Sequence, residues 1–181
     1  MKKKILILIT IIICSILNIQ AQKTEWTLTS SVITFKIKNA GISVKGSFSE
    51  LKTSIFFDAS KLVGNEIAAT VETKTINTGN NSRDTHLKKE EYFGVDKNPT
   101  ISLKSIYINK LGYGNFEGKF LLTIKNTSKE VTIPFKFSEK DQNATFKGTF
   151  TIDRLDYKVG ESSLILSDNV TISLLINVAK K

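Results

Sequence analysis

From Val170 to Val178 the even positions are all aliphatic (Val170, Ile172, Leu174, Ile176, Val178), and Thr171, Ser173 and Asn177 lie between them. Side chains alternate across a strand with period two, so this segment reads as a strand with one dry face and one mostly wet face. The pattern recurs in Ile33, Phe35 and Ile37 against Thr34, Lys36 and Lys38. It recurs again in Phe116, Gly118, Phe120, Leu122 and Ile124; in Val131, Ile133, Phe135 and Phe137; and in Phe146, Gly148, Phe150 and Ile152. Segments near Val44 to Phe57, Glu66 to Thr75 and Ile101 to Ile108 bring the expected count to eight strands. No long helical periodicity competes with them.

Turn chemistry separates the runs. Gly112 and Gly114, the stretch Asn126-Thr127-Ser128, Asp141-Gln142-Asn143 and Gly160 all fall between alternating segments. Connections this short pair sequence neighbours antiparallel and give an up-and-down meander. A long sheet that is dry on one side hides that side by closing on itself or by folding into a sandwich; without long crossovers, closure is favoured. The expected fold is therefore all-β, an eight-stranded antiparallel up-and-down barrel. One connection breaks the rhythm, from Thr75 to Pro99. Ser82 or Asp84 is placed to cap one short helix ending near Tyr92 or Gly94, within a long loop around residues 77–99. Loops of that length in a compact domain are commonly lids, plugs or binding features.

The N-terminus reads as an address. Lys2 to Lys4 precede the apolar run Ile5 to Ile13, too short to span a bilayer, and polar residues Ser15 to Gln22 follow. Cleavage is expected near Ala21, which leaves residues 22–181 as one barrel domain and sends the chain to the periplasm or beyond. Ile13 is not the small residue that a lipoprotein signal would place before Cys14. Cys14 is the only cysteine and leaves with the leader, so no disulfide or thiolate is expected afterwards. The formal charge of +9 includes the three leader lysines; the remaining lysines are spread along the strands. No concentrated basic stripe marks a nucleic-acid surface.

Catalysis is disfavoured by inventory. His86 is the single histidine, so a Ser-His-Asp arrangement would have to be built on it and a metal site would lack the usual second imidazole or thiolate, and few carboxylates fall on the apolar rows to form an acid/base pair. No enzyme activity and no cofactor are expected.

An eight-stranded barrel is either filled by its own side chains or holds one small ligand. Strands of about ten residues, tilted as barrels require, give an interior on the order of 25 Å tall. The inward rows supply Ile33, Phe35, Ile37, Phe120, Leu122, Phe135, Phe137, Phe146, Phe150, Ile172 and Leu174 as a candidate apolar lining. Alternation is the same for a tunnel and for a filled core; Gly118 and Gly148 on these rows either leave space beside the rings or mark barrel bends. Arg83 beside Asp84, and Arg154 between Asp153 and Asp156, are the only arginines. They serve either as structural ion pairs at the rim or, with Asp84 and His86, as a polar collar for an anionic head group.

At these residues the chain resembles the YceI-like family of bacterial lipid-binding proteins. The resemblance is carried by Arg83-Asp84-Thr85-His86-Leu87, Tyr92-Phe93 and Asn98-Pro99-Thr100-Ile101. It continues through Asn39-Ala40-Gly41, Lys45-Gly46-Ser47-Phe48, Thr75-Ile76-Asn77-Thr78-Gly79, Leu122-Thr123-Ile124, Lys129-Glu130-Val131, Asp153-Arg154 and Ser167-Asp168-Asn169-Val170, and covers nearly all of Trp26 to Ala179. It implies a lipocalin-like barrel with a helix-bearing loop, exported to the periplasm, non-enzymatic, often a homodimer, and holding a polyisoprenoid or other long-chain amphiphile in its tunnel. Tyr92 stands where the family commonly has phenylalanine, and Lys158 where glycine is common. Two readings result: a carrier or sequestering protein for an isoprenoid or related acyl lipid, or a filled barrel with a structural or stress-related role.

Overall fold

The computed structural model describes residues 23–181. The proposed leader, with Lys2 to Lys4, Cys14 and the cleavage point at Ala21, lies outside the described residues. Nine strands follow one another as β1 (Glu25–Asn39), β2 (Ile42–Phe48), β3 (Lys52–Phe56), β4 (Glu66–Glu72), β5 (Thr100–Gly112), β6 (Asn115–Ile124), β7 (Thr127–Lys140), β8 (Asn143–Asp153) and β9 (Asn169–Lys180). A single helix, α1 (Asn81–Lys88), interrupts them between β4 and β5. All strand pairs are antiparallel, and pairing of β1 with β9 closes a barrel of eight strands, with β2 as an extra strand beside β1.

The extra strand arises where one alternating run was expected. Val44 to Phe57 is two strands, broken at Ser49–Leu51, where Glu50 takes a left-handed backbone (φ 58°). Both lie on the same side of β1: β2 pairs with Ile33–Asn39, and β3 pairs with Glu25 and Trp26. β3 continues into the β4 ladder, whereas β2 meets only Asn77, through reciprocal backbone bonds with Ser47 of 2.8 and 3.0 Å. The long loop thus stands in for the ladder partner that β2 lacks.

Three hairpins turn on two residues that both have positive φ, at Ala40–Gly41, Tyr113–Gly114 and Lys125–Asn126. That is the turn whose twist matches its flanking strands.

Packing divides the barrel by height. At the end where β1 starts and β9 finishes, Trp26, Phe57, Phe116, Phe137, Phe146 and Val178 form a solid plug. Phe57 is its centre, 1% exposed, with ring centroids 4.8 Å from Phe137 and 5.2 Å from both Phe116 and Phe146. Trp26 satisfies its indole N–H by donating to the Phe57 carbonyl at 2.8 Å. At the other end Ile33, Phe35, Ile37, Ile172 and Leu174 point inward but are only half-buried, because they face a hollow.

Candidate functional site

The hollow is a cavity of about 720 Å³, within the range of small-molecule sites, and its wall is almost wholly aliphatic and aromatic. Of the lining expected from the sequence, Ile33, Phe35, Ile37, Phe120, Leu122, Phe135, Phe146, Phe150, Ile172 and Leu174 contribute to it. Phe137 does not: it sits low enough on β7 to pack into the plug against Trp26 and Phe57. Period-two rows identify the inward face but carry no information about height.

Glycines under phenyl rings help keep the lumen open. A Cβ at Gly118 would overlap the Phe120 ring, and one at Gly46 would overlap the Phe35 ring. Each ring folds back over a bare stretch of wall. The space at Gly118 is therefore occupied by Phe120, while Gly148 itself lines the cavity.

Several wall residues were not expected from the sequence. Val44 and Phe48 come from β2, Ile67, Ala69 and Val71 from β4, and Ile76, Leu87, Tyr92 and Phe93 from the long connection. Those of β4 sit on a legible alternating row, whereas those of the connection have no periodic signal. Lining residues that are also exposed mark the mouth: Asn39, Asn80, Ser82 and His86.

Helix α1 is capped by Asn80, whose side chain accepts from the Arg83 backbone N–H at 2.9 Å, rather than by Ser82 or Asp84. It ends at Lys88, short of Tyr92 and Gly94. Asp84 is buried and accepts from the Thr78 backbone N–H at 2.9 Å and from the Thr78 hydroxyl. Arg83 donates to the Thr78 hydroxyl (2.8 Å, Nε) and carbonyl (3.0 Å, Nη2) rather than to the adjacent carboxylate, since neighbours in a helix do not face each other. His86, on the same mouth, sets Nε2 3.2 Å from Glu91 and stands against the Tyr92 ring.

Arg154 lies deeper, 4% exposed. All three of its guanidinium nitrogens are occupied: Nε donates to the Ser167 carbonyl, Nη1 to Val159, and Nη2 to Leu166 and to the Asp168 carboxylate at 2.9 Å. Its sequence neighbours do other work. Asp153 accepts from the Leu155 backbone N–H, and Asp156 pairs with Lys129. Of the four collar candidates, Arg83, His86 and Arg154 line the cavity, Arg83 and His86 at its mouth and Arg154 deeper, while Asp84 is engaged by Thr78 and does not line it.

Beside Arg154 lies Tyr157, whose hydroxyl is the one buried side-chain polar atom without a hydrogen-bond partner among the described residues. Burial, with a smaller contribution from Asp156, pushes its phenol up to about 12. A phenol harder to ionise in the folded state than in the unfolded one contributes stability below the unfolded value near 10. That stability is lost as pH rises through the folded value. Between pH 10 and about 12 the wild-type protein is expected to lose about 2 kcal/mol more stability than Tyr157→Phe, as read from urea unfolding at each pH. Parallel pH curves for the two proteins would refute this.

The family model for the YceI-like domain matches residues 26–178. The chain belongs to the YceI-like family. A UPF0312 protein of Ectopseudomonas mendocina is 26% identical over 151 residues, 80% of this chain and 79% of its own length. A Vibrio cholerae UPF0312 protein is 25% identical over 143 residues, 74% of this chain and 76% of its own. The crystal structure of Burkholderia cenocepacia BcnA superposes with a TM-score of 0.78 at 21% identity, over 81% of this chain and 95% of that one. A Saccharophagus degradans domain, described as polyisoprenoid binding and implicated in plant cell wall breakdown, gives 0.71 at 12% identity, over 88% of this chain and all of that one. At these identities the solved structures show that the YceI-like fold is shared. Lys158 has φ 57° and ψ 35°, the left-handed geometry that glycine adopts most readily.

Proposed function

We propose that this YceI-like protein, exported by its N-terminal leader, holds one long-chain amphiphile non-covalently in its barrel and carries or sequesters it without chemical change. The carrying observation is the 720 Å³ apolar cavity above a packed plug. Its wall solvates an extended hydrocarbon by apolar burial. A filled interior describes the plug end alone. The polyisoprenoid-binding description of the Saccharophagus degradans domain supports an isoprenoid or similar chain as the occupant. Arg83 and His86 at the mouth are placed for the polar end, and Arg83 keeps Nη1 uncommitted.

Native mass spectrometry of protein purified from its own host is expected to show a lipid adduct that organic solvent removes and added polyprenyl lipid restores. Leu174→Trp combined with Ala69→Trp places two indoles in the lumen and is expected to lower occupancy more than about tenfold, with the barrel still folded, because the added bulk enters empty space. Arg83→Ala is expected to weaken a polyprenyl phosphate more than the matching alcohol. A wild-type protein that carries no lipid and accepts neither polyprenyl nor acyl ligands would overturn the reading.

A further inference from the structure

The mouth has a polar side and an apolar side. The polar side is the α1 edge. The apolar side is formed by the β1–β2 hairpin tip and the connection from β8 to β9, which are joined by an Ala40 N–H to Ile165 carbonyl bond of 2.7 Å. Asn39 pairs across with Ile42 on one flank and bridges Leu166 on the other. Directly opposed residues share a face, so Ile42, Asn39 and Leu166 form one row. Asn39 and Leu166 in that row line the cavity, and Ile42 carries it outward, 71% exposed. Next to it Ile165 is 63% exposed, and Leu164 is fully exposed. The cavity lining thus reaches, past the polar Asn39, three large aliphatic side chains in solvent, which need an explanation that scattered surface residues do not.

Their surroundings indicate what covers them. On the outer face of the same hairpin Lys36 lies directly across from Lys45, and Lys38 follows one turn of the pleat nearer the tip. Like charges opposed across a ladder destabilise it. Nine lysine or arginine ion pairs occur elsewhere among the described residues, yet none involves these three lysines. Lys38 lies about 7 Å and Lys36 and Lys45 about 13 Å from the Ala40–Gly41 turn, counting residues along the strand. Long lysine side chains snorkel from such positions to the head-group layer when an apolar tip is buried in a membrane interface. Glu161 is the only carboxylate from Gly160 to Ser167. A second copy of the chain would bring the same lysine row against its own kind, whereas an anionic lipid surface is complementary to both the aliphatic tip and the lysines.

We propose that the barrel docks, mouth first, on an anionic lipid bilayer, inserting Ile42, Leu164 and Ile165 into the interface with Lys36, Lys38 and Lys45 among the head groups. The cavity lining then meets the acyl region, and a long-chain lipid passes between membrane and barrel without crossing water. This rests on the lipid-carrier reading for its purpose, but docking itself requires no cargo.

The test uses residues 23–181, whose sheet closes entirely among themselves, with the fold checked by far-ultraviolet circular dichroism. Cosedimentation is measured with vesicles of about one third phosphatidylglycerol in phosphatidylethanolamine, and with neutral phosphatidylcholine vesicles. The wild-type barrel is expected to bind the anionic vesicles and to be released at about 1 M salt, where the Debye length is about 3 Å. Lys36→Gln with Lys45→Gln is expected to weaken binding roughly thirtyfold, at the per-lysine strength found near anionic membranes. Leu164→Ser with Ile165→Ser is expected to weaken it at least about tenfold without lowering Tm, since both side chains are already in water. Wild-type protein that ignores both vesicles, or variants that bind as the wild type does, would overturn docking. So would light scattering that shows a dimer abolished by Leu164→Ser with Ile165→Ser, because the patch would then be a contact between copies. Cargo retention in native mass spectra with no vesicle binding would remove docking alone, and vesicle binding by a protein that accepts no lipid would remove the carrier reading alone.

Discussion

Arg154→Met is expected to lower stability by about 4 kcal/mol and Tm by on the order of 12 °C. The guanidinium holds the connection between β8 and β9 from inside, donating to the carbonyls of Val159, Leu166 and Ser167 and to the Asp168 carboxylate. Methionine matches the stem in length but donates nothing, so carbonyls at a site where Arg154 is 4% exposed lose their partners. Asp168 keeps access to water and recovers part of its loss. Arg154→Lys is expected to rescue little, because one ammonium cannot reproduce a planar fork that serves four acceptors. Thermal unfolding of the three proteins checks this. If Arg154 instead belonged to a head-group collar, Arg154→Met would leave Tm unchanged and weaken only anionic lipids.

Phe57→Ala and Phe150→Ala together measure where the barrel is solid. Phe57 is surrounded by Phe116, Phe135, Phe137 and Phe146, and its removal is expected to cost about 4 kcal/mol, because the rigid ring cluster cannot close over the void. Phe150 packs against both core clusters but also lines the cavity and is only half-buried. A ring that already has empty space on one side loses fewer contacts, so about 2 kcal/mol is expected. Urea unfolding with unchanged m-values gives both numbers. Equal losses at the two sites would mean that the interior is filled throughout and that the cavity closes in solution.

The difference between these two phenylalanines shows where sequence reasoning reached its limit. Alternation along β1, β6, β7, β8 and β9 is a local property, set by which side of each peptide a Cβ leaves, and it identified the inward faces correctly. Phe137 and Phe150 both sit on such faces, yet one fills the plug and the other lines the hollow. Their heights depend on the stagger between strands, which follows from hydrogen-bond register around the closed sheet and not from either strand alone. The break between β2 and β3 was missed for a related reason: Ser49–Leu51 carries no glycine or proline to signal the left-handed Glu50, and the separate pairing of the two strands with β1 is a long-range property.

Polar partners were less legible still. Arg83 and Arg154 each stand beside carboxylates in sequence, but backbone direction turns those neighbours away. Arg83 meets Thr78 and Arg154 meets Asp168, contacts that exist only once the loops have folded over the barrel end.

By itself the sequence determined an antiparallel barrel, its inward residues, the loop that carries its short helix and, through ordered motifs, its YceI-like membership. Those properties are written in short-range periodicity, turn chemistry and motif order. Only the tertiary structure decided that the interior is solid at one end and hollow at the other, and that Arg154 is a brace. Both depend on register and on ring orientation over Gly46 and Gly118, which are set by contacts between residues far apart in the chain.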